Sequence, residues 1–318
     1  MIRRRWLRAR ALPVAGLLLA LGGQAHPESA TPVATGLEDA ARQGSMEGFL
    51  AQARTEAQAR TTTLPELESA LVPHLRFYIP DGPGPFPATL FLHGCSGSTL
   101  SHEKDWGRFH RDRGAVMIAV DSLAPRELEG QPVCDLQVLT GRERAADVLA
   151  ALAHARRLPY VDPQRLALMG FSHGAWTIWE LFVLGSHSRA PLGLAEWPGG
   201  GLRGVRAAFL FYGPCLEAWT VAIPTVAFLA GADRYIDAQA CIDYAEELSP
   251  SPGEPLLFSY RLFEGATHTF DHARPSAVNR DAGSIYDPLA TRAARKEIGR
   301  RMKTLLRSAG QPVRSQPP

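Results

Sequence analysis

The 318-residue chain is 45% hydrophobic and 21% charged, with 34 Lys and Arg against 32 Asp and Glu. That length and apolar content suit one large core and exclude a disordered or fibrous chain. The near-balanced charge, with no basic run beyond the first ten residues except the cations scattered along the last helix, excludes a nucleic-acid-binding face.

In chain order, Arg3, Arg4, Arg5, Arg8 and Arg10 precede an uncharged stretch from Ala11 to Ala25 centred on Leu17-Leu18-Leu19. This is a signal-peptide pattern over residues 1–25, with Gly23-Gln24-Ala25 as the cleavage site and an apolar part too short to span a bilayer. Arg3-Arg4-Arg5-Trp6-Leu7 also resembles a twin-arginine signal, so two export routes stay open and a periplasmic or secreted location is expected. Removing the leader takes away five arginines and no acid, which moves the formal net charge from +2 to −3. Residues 26–61 read as a linker followed by a helical extension rich in Ala, Gln, Glu and Arg, residues 62–308 as the folded catalytic domain, and residues 309–318 as a disordered tail.

Within the domain, apolar runs predict strands at Leu75 to Ile79, Ala88 to Leu92, Val116 to Val120, Leu166 to Phe171, Ala207 to Tyr212, Pro224 to Ala230 and Leu257 to Phe263. Helical patterns fall at Gly141 to Arg157, Ala175 to Leu184 and Asp237 to Leu248, and the alternation predicts a parallel sheet with helices on both faces. The last helix, with Arg292, Arg295, Lys296, Arg300, Arg301, Lys303 and Arg307, reads as a solvated face that covers the sheet through Ile298, Met302, Leu305 and Leu306. The stretch Ser186 to Leu202 holds Trp197-Pro198 and the run Gly199-Gly200-Gly201; it reads equally as an active-site lid, with Trp197 against an acyl or aromatic group, or as a surface insertion.

The chemistry concentrates at Gly170-Phe171-Ser172-His173-Gly174, where a strand pattern turns into a helix pattern. A serine in that context sits on a strained turn, and only very small residues two positions either side let strand and helix pass so closely. Such a serine needs a base, and the base needs a carboxylate to fix its tautomer. Asp233 follows one strand and His268 the next, so Ser172, Asp233 and His268 are the expected triad, with Asp237 and His272 as rivals; Asp237 better suits a helix N-cap. His93-Gly94-Cys95 ends another strand in a turn able to aim an amide inward, which makes the Cys95 and His173 N–H groups the expected oxyanion donors. Arg144 and Asp147 read as a local ion pair, and Asp121 as structural or substrate-proximal. Ser101 and Lys104 satisfy S-x-x-K without its companion motifs, and His102-Glu103 lacks a second histidine at metalloprotease spacing.

Four cysteines in an exported chain suggest two disulfides, Cys95 with Cys134 and Cys215 with Cys241, because each pair falls in neighbouring loops; buried free thiols are the alternative. There is no metal-like C-x-x-C spacing.

Together with Val120-Asp121-Ser122, Phe211-Tyr212-Gly213-Pro214-Cys215 and Gly265-Ala266-Thr267-His268-Thr269-Phe270, these segments resemble the dienelactone hydrolase family of α/β-hydrolases over about Leu75 to Leu306. The resemblance implies an α/β-hydrolase fold with a mostly parallel eight-stranded sheet flanked by helices, and ester or lactone hydrolysis without metal or organic cofactor. Two departures bear on substrate. The enzyme that names the family has a cysteine nucleophile where this chain has Ser172, and the arginine expected soon after the histidine is unmatched, His272 lying four residues on and Arg274 six. His93, Trp197 and Arg126 are candidates for the substrate pocket. The expected protein is an exported serine hydrolase for a small-molecule ester or lactone, with no nucleic-acid partner, no lasting membrane anchor and an oligomeric state left open. An acyltransferase with the same triad, or a non-catalytic binding protein on the same fold, is the alternative.

Overall fold

In a computed structural model the described residues are 61–248, 256–281 and 283–306. The expected leader, nearly all of the 26–61 extension and the 309–318 tail lie outside them. The elements in chain order are α1 (Leu64–Leu71), β1 (Leu75–Tyr78), β2 (Phe86–Leu92), α2 (Leu100–Arg111), β3 (Val116–Val120), α3 (Gly130–Cys134), α4 (Gly141–Ala155), β4 (Val161–Phe171), α5 (His173–Gly185), β5 (Val205–Phe211), β6 (Thr225–Ala230), α6 (Ala238–Glu247), β7 (Phe258–Phe263), α7 (Ala277–Asp281) and α8 (Pro288–Leu305).

All seven strand patterns form strands, in the sheet order β1-β3-β2-β4-β5-β6-β7, with β1 antiparallel to β3 and every other pairing parallel. The count among the described residues is therefore seven, not the eight the resemblance implied. Side chains alternate across the sheet, as a period of two requires. Leu90, Leu92, Ile118, Leu168, Leu210 and Leu229 pack on one face with α4 and α5, while Phe91, Met117, Met169, Phe209, Phe211 and Phe228 pack on the other with α2 and α8. Both faces are dry, which is why the strands read as unbroken apolar runs. Ile298, Met302 and Leu306 of the last helix segment enter the second layer as the pattern predicts.

From β2 the chain steps to β3 on one side and later to β4 on the other, so β2 and β4 flank the point where the sheet order reverses. At such a point the following connections leave to opposite faces and open a crevice beyond the carboxyl ends of the strands. The pairing of Leu92 with Gly170 aligns the ends of β2 and β4, and Phe211 with Phe171 aligns β5, so the loops after these strands meet over one spot.

Candidate active site

Ser172 occupies φ 52°, ψ −115°, a strained conformation for a residue with a Cβ, between the last residue of β4 and the first of α5. The glycines around it are steric necessities. A Cβ on Gly170 would lie 2.3 Å from the Gly174 carbonyl oxygen, and one on Gly174 would lie 2.2 Å from the Leu92 carbonyl oxygen. The Ser172 amide donates to the Phe211 carbonyl at 2.9 Å, locking the turn to the end of β5.

The His268 Nε2 lies 2.9 Å from Ser172 Oγ and its Nδ1 lies 2.7 Å from Asp233 Oδ2. The second Asp233 oxygen accepts the Tyr235 and Ile236 amides, so the carboxylate is held by its own loop as well as by the histidine. Tyr212 and Tyr235 enclose the His268 ring, with centroids 4.8 and 5.2 Å away. Asp237, the rival carboxylate, caps α6 by accepting the Gln239 amide. His272, the rival base, is buried and stacked on His102 at 3.6 Å, away from the serine hydroxyl.

The His93-Gly94-Cys95 turn lies against the serine: a Cβ on Gly94 would sit 3.6 Å from Ser172 Cβ. The His173 amide is in the first turn of α5, where helix geometry supplies no partner, and the Cys95 amide donates to no backbone carbonyl among the described residues.

Behind them sits Arg144, fully buried, whose Nε donates to Ser122 Oγ at 2.9 Å and whose Nη1 donates to the His93 carbonyl at 2.7 Å and to His173 Nδ1 at 3.2 Å. The predicted Arg144–Asp147 ion pair is replaced by another: Asp147 takes a bidentate bond from Arg126, at 3.0 and 2.8 Å. A three-residue helical spacing let sequence favour the local partner, but the fully buried carboxylate turns to the arginine across the loop.

Three pocket candidates are corrected. Arg126 is committed to Asp147 and to the Ser122 carbonyl, so its charge is already matched. His93 is buried, its Nδ1–H donating to the Gly94 carbonyl and its Nε2 accepting the Ser122 amide, which makes it a strut of the turn and not a pocket wall. Trp197 packs against Gly185, at the far end of α5. Thirteen helical residues at about 1.5 Å each carry that end roughly 20 Å from Ser172. The 186–202 stretch is accordingly no lid: it pairs with Thr62 through Gly193 and Ala195, and Arg156 pins it through the Gly201 carbonyl. The signal missed was direction: α5 runs away from the serine, and the loop at its far end is held there by Thr62 and Arg156.

The four cysteines form two disulfides, Cys95–Cys134 and Cys215–Cys241. The first ties the His93-Gly94-Cys95 turn to α3, and the second ties the segment after β5 to α6. Both histidines beside Arg144 are held well below their ordinary pKa by burial first and by the arginine's charge second, so they stand neutral as their bonds require.

His102, Asp271 and His272 are the one trio among the described residues with metal-ligand spacing, their ligand atoms all within 4.8 Å. The geometry does not suit a cation. Asp271, the trio's only carboxylate, is already filled by His102, Trp106 Nε1 and the Tyr212 hydroxyl, and the two imidazoles are stacked on each other at 3.6 Å.

No family model and no curated protein matches the chain. Solved structures do. A propionate-bound esterase 2 from the planctomycete Thermogutta terrifontis aligns at a TM-score of 0.55 and 18% identity, covering 74% of this chain and 91% of that one. The same esterase phosphonylated by sarin aligns at 0.53 and 16%, over 74% and 91%. A dienelactone hydrolase-like promiscuous phosphotriesterase from metagenomic libraries aligns at 0.52 and 17%, over 70% and 88%. The chain has the α/β-hydrolase fold. Like other α/β-hydrolase folds it carries its strained strand-to-helix turn at the carboxyl edge of the sheet, and no helix among its described residues is long and apolar enough to cross a membrane.

Proposed function

We propose that the protein is a serine hydrolase of the dienelactone hydrolase family that cleaves a carboxylic ester or lactone. The observation that carries this reading is the unbroken chain of contacts from Ser172 Oγ through His268 to Asp233, at 2.9 and 2.7 Å. His268 takes the serine proton as Oγ attacks the carbonyl carbon, and Asp233 holds the imidazole and stabilises the imidazolium. The Cys95 and His173 amides receive the oxyanion. Its collapse expels the alcohol, which takes the proton from His268; water, deprotonated by the same histidine, then releases the acid from the acyl-enzyme. The fold likeness to an esterase seen with propionate, and to its sarin-phosphonylated form, agrees with a nucleophile of this class.

The substrate is an uncharged ester. Dienelactone carries a carboxylate that needs a free fixed cation, whereas Arg126 is spent on Asp147 and Arg274 is exposed on the surface. Residues 62–308 form the catalytic domain, exported behind the 1–25 leader to the periplasm or beyond, and two disulfides fit that compartment. Ser172→Ala tests the reading: p-nitrophenyl butyrate hydrolysis by the purified protein falls at least about a thousandfold with the thermal midpoint unchanged. Undiminished turnover would remove the serine from the mechanism.

A further inference from the structure

Arg144 is an unusual residue to find fully buried, because it has no carboxylate within hydrogen-bond reach among the described residues. Its hydrogen-bond partners are all neutral, with the Asp147 and Asp121 charges acting only through space, and a cation kept in a dry interior on such terms persists where the surroundings hold it for a reason. Burial lowers its pKa only to about 10, so it stays charged at neutral pH. Its Nη2 has no hydrogen-bond partner. Every bond it makes goes to the ends of three adjacent strands: Ser122 after β3, the His93 carbonyl after β2, and His173 after β4. Two of those three groups belong to the oxyanion machinery. His93 is two residues from the Cys95 amide, and His173 is itself the second donor, its ring held from the other side by a bond to the Leu139 carbonyl.

We propose that Arg144 is a positioning residue for the oxyanion hole, locking the Cys95-bearing turn to the His173-bearing helix start and adding a fixed positive charge behind both donors. The proposal rests on the serine-hydrolase reading above. Oxyanion stabilisation comes from donors that are already oriented when charge develops, and a cation in a low-dielectric wall strengthens them without reorganising. The charge favours the tetrahedral intermediate over the neutral ester, so its loss shows in kcat and not in KM.

The test compares wild type, Arg144→Met and Arg144→Lys on p-nitrophenyl butyrate, and measures inhibition by an alkyl trifluoromethyl ketone, whose serine adduct carries an oxyanion. For Arg144→Met, kcat falls about 100-fold with KM within about threefold, and the ketone's inhibition constant rises by a similar factor. Arg144→Lys, which keeps the charge, recovers at least about tenfold of the loss. Should the methionine variant not fold, Ser122→Ala removes one anchor of the guanidinium and gives a smaller fall in kcat, again matched by weaker ketone binding. Ketone affinity unchanged while activity falls, or lysine no better than methionine, overturns the proposal. A wild type that neither hydrolyses the ester nor binds the ketone fails the hydrolase reading itself, which separates the two.

Discussion

Asp233 and Asp237 lie four residues apart and do different work. Asp233 Oδ2 meets His268, whereas Asp237 caps a helix and faces away from the imidazole. Asp233→Asn leaves the shape intact but favours the wrong histidine tautomer, so kcat falls by about three to four orders of magnitude. Asp237→Asn keeps an N-cap side chain and leaves kcat within about twofold. Steady-state kinetics on the two variants check this, and reversed results would move the acid to Asp237. The contact of Ser172, His268 and Asp233 was legible because each falls just past an apolar run, a position sequence reveals directly. The place of Arg144 was not: an arginine three residues before an aspartate on a helix reads as half of a local ion pair, and only the packing of three strand ends shows where it points.

The elbow is an element-scale device, a strand and a helix that touch only because two positions lack side chains. Gly174→Ala drives a Cβ to 2.2 Å from a main-chain oxygen and costs about 2 kcal/mol or more, with loss of hydrolysis. Gly94→Ala meets nothing closer than 3.6 Å and leaves the thermal midpoint near that of wild type. Thermal melts of both variants decide, and equal destabilisation would contradict the close approach at Gly174. At this scale the seven strands were readable, since dry parallel strands are continuous apolar runs. Helix α2 was not recognised as a helix, because its buried face holds His102, Glu103 and His110 beside Trp106 and Phe109, so few apolar residues mark it. Glu103 is tolerated there by Arg76, Tyr78 and Ser98, partners from other elements that sequence spacing does not reveal.

For the whole molecule, the buried histidines link stability to pH. Burial lowers His110 to a pKa of about 4 and His272 to about 3, and it pushes His93 and His173 well below their usual value. The unfolded chain therefore binds more protons than the folded one below about pH 6.5, so stability is full above that value and falls as pH drops. Each such histidine contributes a slope of up to about 1.4 kcal/mol per pH unit between 6.5 and its folded pKa. The thermal midpoint should drop steeply from pH 7 to pH 5, before most carboxylates titrate, and His110→Leu should flatten the drop; a midpoint constant over that range would contradict it. Non-reducing peptide mapping of protein expressed from the full sequence and recovered outside the cytoplasm should show Cys95–Cys134 and Cys215–Cys241, each bond contributing about 2 to 5 kcal/mol, whereas four free thiols would refute the pairing.

The central claim, that Ser172 is a nucleophile activated by His268 and Asp233, is tested most directly by treating the purified protein with a fluorophosphonate and locating the adduct by peptide mass spectrometry. One equivalent of label on the peptide carrying Ser172, lost in Ser172→Ala and slowed by orders of magnitude in Asp233→Asn, is the predicted result. No label at Ser172, or equal labelling of the Asp233→Asn protein, would contradict it.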